Sequence, residues 1–345
     1  MSLNETQKLS QNPIIIEGLW GLGKTELAKR FCARHGYTLF PEPFHTLEHH
    51  TVLPADIDEW YVNMHQHRFA EFLGHREPAL MERSALSSFA FAYALKKKMP
   101  DLNILMDLRR EIRQRKIILA YITNADVSVF QKAALSGRYS KEVWHILTDE
   151  DARSRYEHWY TSVLPLEYSI TPFILPVQWS GVTATTNQLV SQLESGMLAQ
   201  RIAQVNVVCF DASQSQRNEF RVLLLKRSHH KGGYWQTITG GVRPGESLGD
   251  AAIREVGEET GLKPDLKSFF SVPFQYSFMG TDGYPLFEYV FACALNGYSP
   301  VSLSAEHEMF KWGNLNDAKA MLVYENNFKA VTQAKEKAAL IGLLP

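Results

Sequence analysis

Three glutamates, Glu255, Glu258 and Glu259, follow one another at spacings of three and four, so a helix through them would set their carboxylates on adjacent turns of one face. Such a cluster repels itself unless a cation sits among it. Hard oxygen donors at this density suit Mg2+ or Mn2+, which bridge the oxygens of a diphosphate and activate the water that attacks phosphorus. A bare Glu-x-x-Glu-Glu run is more often a solvated acidic helix face. Here it sits in a fixed frame, Gly240-x5-Glu246-x7-Arg254-Glu255-Val256-x-Glu258-Glu259-x-Gly261-Leu262, with Glu246 and Arg254 placed to brace the preceding loop against the helix.

A second constellation lies near the amino terminus. Gly18, Gly21 and Gly23 precede Lys24 and Thr25 in Gly18-Leu-Trp-Gly-Leu-Gly23-Lys24-Thr25. Glycines at these offsets let backbone N–H groups surround phosphates, while the lysine and threonine meet phosphate oxygens and Mg2+. This is the P-loop pattern, and it has the required context: the apolar Ile14-Ile15-Ile16-Glu17 enters it as a strand, and a helix pattern runs from Lys24 to about Arg34. Other candidates are weaker. Arg227 could meet a phosphate or be a surface residue, and His229 and His230 have slight claims. Glu48-His49-His50 and His65-Gln66-His67 lack cysteine partners and the helical histidine pair of a metalloprotease, so no zinc site is expected. Arg109, Arg110, Arg113 and Arg115 read as a solvated helix face.

These side chains need scaffolds. In the first half, β-like runs at 14–17, 37–40, 79–81, 117–122 and 173–177 alternate with helix-patterned segments, which predicts a parallel sheet with helices on both faces. The small and polar stretch 194–203 reads as a linker, dividing the chain into domains at 10–195 and 203–340. After it, 205–210 and 220–225 flank a polar turn and predict a hairpin, hence a mixed sheet. A helix at 247–259, strands at 288–294 and 309–312, and a last helix at 327–340 complete the second half.

The chain has 345 residues, enough for two cores, and its 45% apolar and 21% charged composition is that of a folded globular protein. With 36 basic and 37 acidic residues there is no broad positive field, so nucleic acid is not an expected partner. The start is polar, and no apolar run approaches the length needed to cross a bilayer, which predicts a cytoplasmic protein without membrane contact. Cys32, Cys209 and Cys293 lie far apart in the sequence with no metal-type or paired spacing, and buried thiols are expected.

The frame around Glu255 fills every fixed position of the Nudix box, and the second half resembles Nudix hydrolases. Tyr234-Trp235-Gln236-Thr237-Ile238-Thr239-Gly240-Gly241 and Glu306-His307-x-x-Phe310-Lys311-Trp312 are similar to the dihydroneopterin triphosphate and dATP pyrophosphohydrolase branch. The resemblance implies an α/β/α sandwich, Mg2+ (or Mn2+) held by Glu255, Glu258 and Glu259, and Glu306 completing the metal shell. It also implies cleavage of a triphosphate to monophosphate and pyrophosphate, with Glu255 catalytic.

Ile16-Glu17-Gly18, Pro41-Glu42-Pro43 and Glu82-Arg83-Ser84-x-x-Ser87 resemble deoxynucleoside kinases and their thymidylate kinase relatives. That resemblance implies ATP at the P-loop, with Lys24 and Thr25 on ATP·Mg. Glu42 is then the base for a nucleoside 5′-hydroxyl, Arg83 steadies Glu42 or the moving phosphoryl group, and Glu82 holds the sugar. Where thymidylate kinases place an arginine before the Glu-Pro, this chain has Phe40-Pro41, which favours a nucleoside over a nucleotide acceptor. The family's lid is arginine-rich, but 131–142 offers only Lys132, Arg138 and Lys141. Two readings follow: a bifunctional enzyme acting on small nucleotides and nucleosides, or a hydrolase regulated by a nucleotide-sensing P-loop domain.

Overall fold

The run Ile14-Ile15-Ile16 has no polar residue to turn towards water, and a strand apolar on both sides must be covered on both faces. It forms β1 (Ile14–Gly18), buried along its whole length. The computed structural model describes residues 11–42, 57–124, 127–136, 139–177, 182–199, 203–211, 220–279, 285–295 and 300–344. The chain divides into two compact units, Met1–Ile202 with Pro244–Glu246, and Ala203–Arg243 with Ser247–Pro345.

In the first unit, β1 joins β2 (Thr38–Phe40), β3 (Ala79–Glu82), β4 (Ile118–Asn124) and β5 (Phe173–Val177) in one parallel sheet, order β2-β3-β1-β4-β5. The strand order reverses beside β1, and such a switch point opens a crevice at the carboxyl ends of the strands. The helices are α1 (Lys24–His35), α2 (Ile57–Gly74), α3 (Ala85–Ala94), α4 (Leu102–Gln114), α5 (Val127–Ala134), α6 (Lys141–Thr148), α7 (Glu150–His158), α8 (Leu164–Glu167) and α9 (Val182–Ala199). A π-helical turn, Trp159–Val163, joins α7 to α8.

The expected linker is corrected over 194–199, because α9 continues through Ser195 and Gly196 to Ala199. The small residues serve packing rather than freedom. A Cβ on Gly196 would stand 2.1 Å from the Phe173 ring, and Glu194 ties the helix to α1 through His35 at 2.7 Å and Arg34 at 3.3 Å.

The second unit is built on a seven-stranded mixed sheet. β6 (Gln204–Asp211), β7 (Val222–Arg227), β10 (Phe269–Met279), β11 (Pro285–Leu295) and β12 (His307–Gly313) run in the order β10-β11-β6-β7-β12. The short β8 (Trp235–Gln236) pairs with β7 and β9 (Ile238–Gly241) with β6. Among the described strands of this sheet, only β11 and β6 pair in parallel.

Alternation along β6 sends Val205, Val207 and Cys209 to one core with Leu248, Ala251, Ala252 and Val256 of α10 (Leu248–Thr260). It sends Val208 and Phe210 to a second core with α11 (Leu315–Met321) and α12 (Glu325–Leu340). Each fully buried valine, leucine or phenylalanine among these contributes about 1.5–3 kcal/mol. All three cysteines are free and buried, but two are neighbours: Cys209 and Cys293 face each other across β6 and β11 with their sulfurs 3.5 Å apart. Among the described residues no helix is long and apolar enough to cross a membrane.

Candidate functional site

The carboxylate helix α10 is set by its ends and its apolar stripe. Ser247 caps it by accepting from the Asp250 N–H at 3.1 Å, and Gly261 stops it in the left-handed region at φ 70°, its N–H donating to the Gly257 carbonyl. With Leu248, Ala251, Ala252 and Val256 fixed in the core, Arg254, Glu255, Glu258 and Glu259 are left to the other sides.

Glu255 rests against β9 where Gly240 has no side chain. A Cβ there would lie 1.8 Å from the Glu255 carboxyl carbon, so the glycine is the cradle of the carboxylate. Burial pushes the Glu255 carboxyl above the ordinary range; Arg254 opposes the shift, and the charges of Glu258 and Glu259 add to it. Arg254 Nη1 reaches Glu255 Oε1 at 2.5 Å and Glu258 Oε2 at 3.0 Å, while Nη2 donates to the Gly241 carbonyl at 2.9 Å, which ties β9 to the helix. Glu246 stands half-buried just before the cap.

The donor set fits a hard divalent cation: a carboxylate cradled against a glycine, with two more on the following turn whose charges raise its pKa. Among the described residues no three His, Cys, Asp or Glu side chains are gathered as a ready ligand set; the Arg254 guanidinium instead lies between Glu255 and Glu258.

Glu306, expected to complete the metal shell, is engaged by cations in the described contacts. Its carboxylate pairs with Arg227 at 3.1 Å and Lys231 at 3.6 Å. The next residue, His307, has a buried ring that meets Glu259 through Nδ1. Sequence reasoning gave His307 and Gln236 no role, although both lie inside the motifs that carry the resemblance.

In the first unit the glycine-rich loop leaves the carboxyl end of β1, with Gly18, Gly21 and Gly23 all at positive φ. Lys24 is buried, and its ammonium donates to the Leu19 carbonyl at 2.8 Å. Burial lowers it to about 8, and Arg83 adds to the shift while Glu42, Glu82 and Glu17 oppose it. The Thr25 hydroxyl donates to Glu82 at 2.5 Å.

Arg83 has φ 59°, a strained value for a residue with a Cβ. Its Nε lies 2.6 Å from Glu42 Oε1, its guanidinium covers the Trp20 ring at 4.3 Å, and Nη1 donates to Ser87 and Tyr156, each at 3.2 Å. Glu17, fully buried, anchors this corner by accepting from Ser84 N–H at 2.8 Å, from the Ser84 and Ser87 hydroxyls at 2.7 and 2.5 Å, and from Tyr160 of the π-helical turn at 3.0 Å. Its carboxyl is pushed up by burial, against Arg83 and the serines. Arg68, unremarked in the sequence, donates to the carbonyls of Phe40 at 3.0 Å and Glu82 at 2.9 Å.

Lys132 and Lys141 of the lid segment are exposed. Pro43, Glu48, His49, His50 and Arg138 lie outside the described residues. His65 is buried with its ring 3.2 Å from Arg68, and His67 pairs with Glu71 at 3.3 Å. Arg110 and Arg115 pair with carboxylates of their own exposed helix face.

Comparison with known proteins places the second unit. The NUDIX domain family matches residues 201–333. The asymmetrical bis(5'-nucleosyl)-tetraphosphatase of Caenorhabditis elegans is 32% identical over 95 residues, which cover 28% of this chain and 69% of that protein. An octanoyltransferase of Myxococcus xanthus is 34% identical over 119 residues, covering 34% of this chain but only 32% of its own length. Among solved structures, the E. coli dihydroneopterin triphosphate pyrophosphohydrolase superposes with a TM-score of 0.33 and 26% identity, covering 39% of this chain and 94% of that one.

Proposed function

Because the chain belongs to the NUDIX family through residues 201–333, we propose that its second unit is a divalent-metal-dependent pyrophosphohydrolase. Its substrate class is a nucleoside triphosphate or a related diphosphate-linked compound, cleaved to a monophosphate and pyrophosphate. The observation that carries this reading is Glu255 in the Gly240 cradle with Glu258 and Glu259 on the next turn. Glu255, Glu258 and Glu259 would hold Mg2+ or Mn2+, and a cation bound there supplies charge neutralisation of the diphosphate and a more acidic water.

The chain's own groups do the rest. Arg254 keeps Glu255 aimed and fastens β9 to α10. Glu255, raised in pKa by burial, is the carboxylate best suited to take a proton from water. Arg227, paired with Glu306 beside Lys231, offers guanidinium donors to a phosphate.

The test is incubation with Mg2+ and a panel of nucleoside triphosphates, dihydroneopterin triphosphate and a bis(5'-nucleosyl) tetraphosphate, reading pyrophosphate against orthophosphate. Pyrophosphate from one or two preferred substrates is expected. An unimpaired Glu259→Gln protein would refute the site.

For the first unit we propose an ATP-dependent nucleoside kinase, supported by the Arg83–Glu42 pair, which sets a carboxylate beside a buried cation at the strand ends. Glu42 accepts the acceptor hydroxyl's proton, and Lys24 and Thr25 face ATP·Mg. Nucleoside phosphorylation that survives Glu42→Ala would remove this mechanism. The regulatory reading, in which ATP binds without transfer, is favoured by one observation: Lys24 and Thr25 are already engaged by Leu19 and Glu82. Unchanged hydrolase rates with and without ATP, together with nucleoside phosphorylation, would sink it.

A further inference from the structure

Behind the carboxylate helix stands a histidine held from two sides. His307, the first residue of β12, has a side chain only 1% exposed, and its Nδ1 meets Oε2 of Glu259, whose side chain is 9% exposed. The other ring nitrogen, Nε2, lies 3.4 Å from the side-chain amide nitrogen of Gln236 on β8. That amide nitrogen also reaches the Thr239 hydroxyl at 3.2 Å.

An amide nitrogen can only donate, so the ring nitrogen facing it accepts, and a neutral imidazole then carries its proton on Nδ1, on the side of Glu259. Ser304 Oγ flanks the same nitrogen at 3.5 Å. Both β8 and β12 pair with β7, so the ring is fixed by sheet pairing on rigid strands.

We infer that Gln236 and His307 are positioning residues for Glu259, an inference that rests on reading α10 as the metal-binding helix. Gln236 sets the tautomer and plane of the imidazole, and His307 presents its Nδ1–H to the carboxylate and holds Glu259 in one orientation. A buried glutamate without such a partner has several rotamers open to it and must lose that freedom on binding an ion. Partners behind a metal ligand are worth about 10–100-fold in metal affinity or activity. A histidine that merely fills space would tolerate any side chain of its shape.

The experiment measures Mn2+ binding by electron paramagnetic resonance and steady-state pyrophosphate release for the full-length protein. The variants are His307→Leu, His307→Asn and Gln236→Leu, with Glu259→Gln as reference. His307→Leu is expected to weaken Mn2+ by about 10–100-fold and to lower kcat with little change in KM. His307→Asn, whose amide N–H can stand where Nδ1 stood, is expected to restore most of both. Gln236→Leu, which reaches Glu259 only through His307, is expected to fall between them.

Leucine and asparagine variants that behave alike, or a leucine variant that binds Mn2+ as the unaltered protein does, would overturn the inference. If His307→Leu does not fold, Gln236→Leu decides: unchanged Mn2+ affinity overturns the proposal and a loss of about tenfold or more sustains it. Unaltered protein that binds Mn2+ no better than Glu259→Gln would instead overturn the metal-helix reading itself, and this inference with it.

Discussion

The two candidate sites carry opposite charge. The second unit offers an excess of carboxylate, two of the three glutamates of α10 being buried, and an anionic ligand can approach only with a cation to bridge it. The first unit brings cations of its own, but each is already occupied: Lys24 by a carbonyl of its own loop, Arg83 by Glu42, Arg68 by two carbonyls. On the proposed readings, one site is short of positive charge and needs an ion, and the other exchanges internal partners for its ligand. On the reading proposed for the first unit, nucleotide affinity is therefore set partly by the contacts it breaks.

The sharpest way to break this comparison is to remove one carboxylate from each site. Glu259→Gln is expected to lower pyrophosphate release by about 10²–10⁴-fold and Glu42→Ala to lower nucleoside phosphorylation by a similar factor, each leaving the other activity intact. Paired assays on both variants check it, and a loss of both activities in either would show that the sites are not separate.

Next in size is Gly240→Ala. Its Cβ would occupy the place of the Glu255 carboxyl group at 1.8 Å, and a displacement of that order costs about 10²-fold in rate. Kinetics at saturating Mn2+ distinguish a displaced carboxylate from a merely weakened metal.

A third test uses the buried cation. Lys24 sits at about 8, lowered by burial from 10.5, so its charge is complete below that pH and lost above it. ATP affinity of the first unit should fall by about tenfold between pH 7 and pH 9, and a Lys24→Arg protein should be flat over the same range. The sign reverses for stability: from about 8 towards 10.5 the unfolded lysine still binds its proton while the folded one does not, so the ligand-free protein gains stability as pH rises. Calorimetric titration of ATP across this range reads the first effect and denaturant unfolding the second.

The smallest effect is expected from Gly196→Ala, which forces the Phe173 ring aside. Denaturant unfolding should show about 1–3 kcal/mol lost, with pyrophosphate release unchanged.

Much of the architecture could be read in advance where local pattern and burial agree. The apolar runs at 14–17 and 173–177 have no alternative to a covered strand, and both became one. The misreading at 194–199 came from treating Ser195 and Gly196 as signs of a loose chain, when close approach to Phe173 demands a small residue inside a helix. β10 went unseen because Pro273 supplies no N–H and Gln275 and Ser277 interrupt the apolar pattern; the strand absorbs them with a register shift between Ser271 and Gln275.

In the carboxylate site, the three glutamates and Arg254 are legible because one helix carries them all. The His307–Glu259 contact is not, since it joins a helix to a strand through space. Glu306 ends the turn that precedes β12 and His307 opens the strand, so which of the two side chains meets α10 depends on where the strand begins, which no motif records. Arg68 escaped for the same reason, being one arginine of a helix whose targets are carbonyls on other elements.

The parallel pairing of β6 with β11 has a consequence in time. β6 is the first strand of its sheet to leave the ribosome, yet it occupies the interior, and its parallel partner begins only at Pro285. Pairings so distant along the chain close slowly, because loop entropy is lost before contacts return it. The apolar edge of β6 and the charged helix α10 are thus both synthesised before β11 and β12 exist to cover them, and the nascent second unit must remain soluble through that interval before either its sheet or its carboxylate cluster can form.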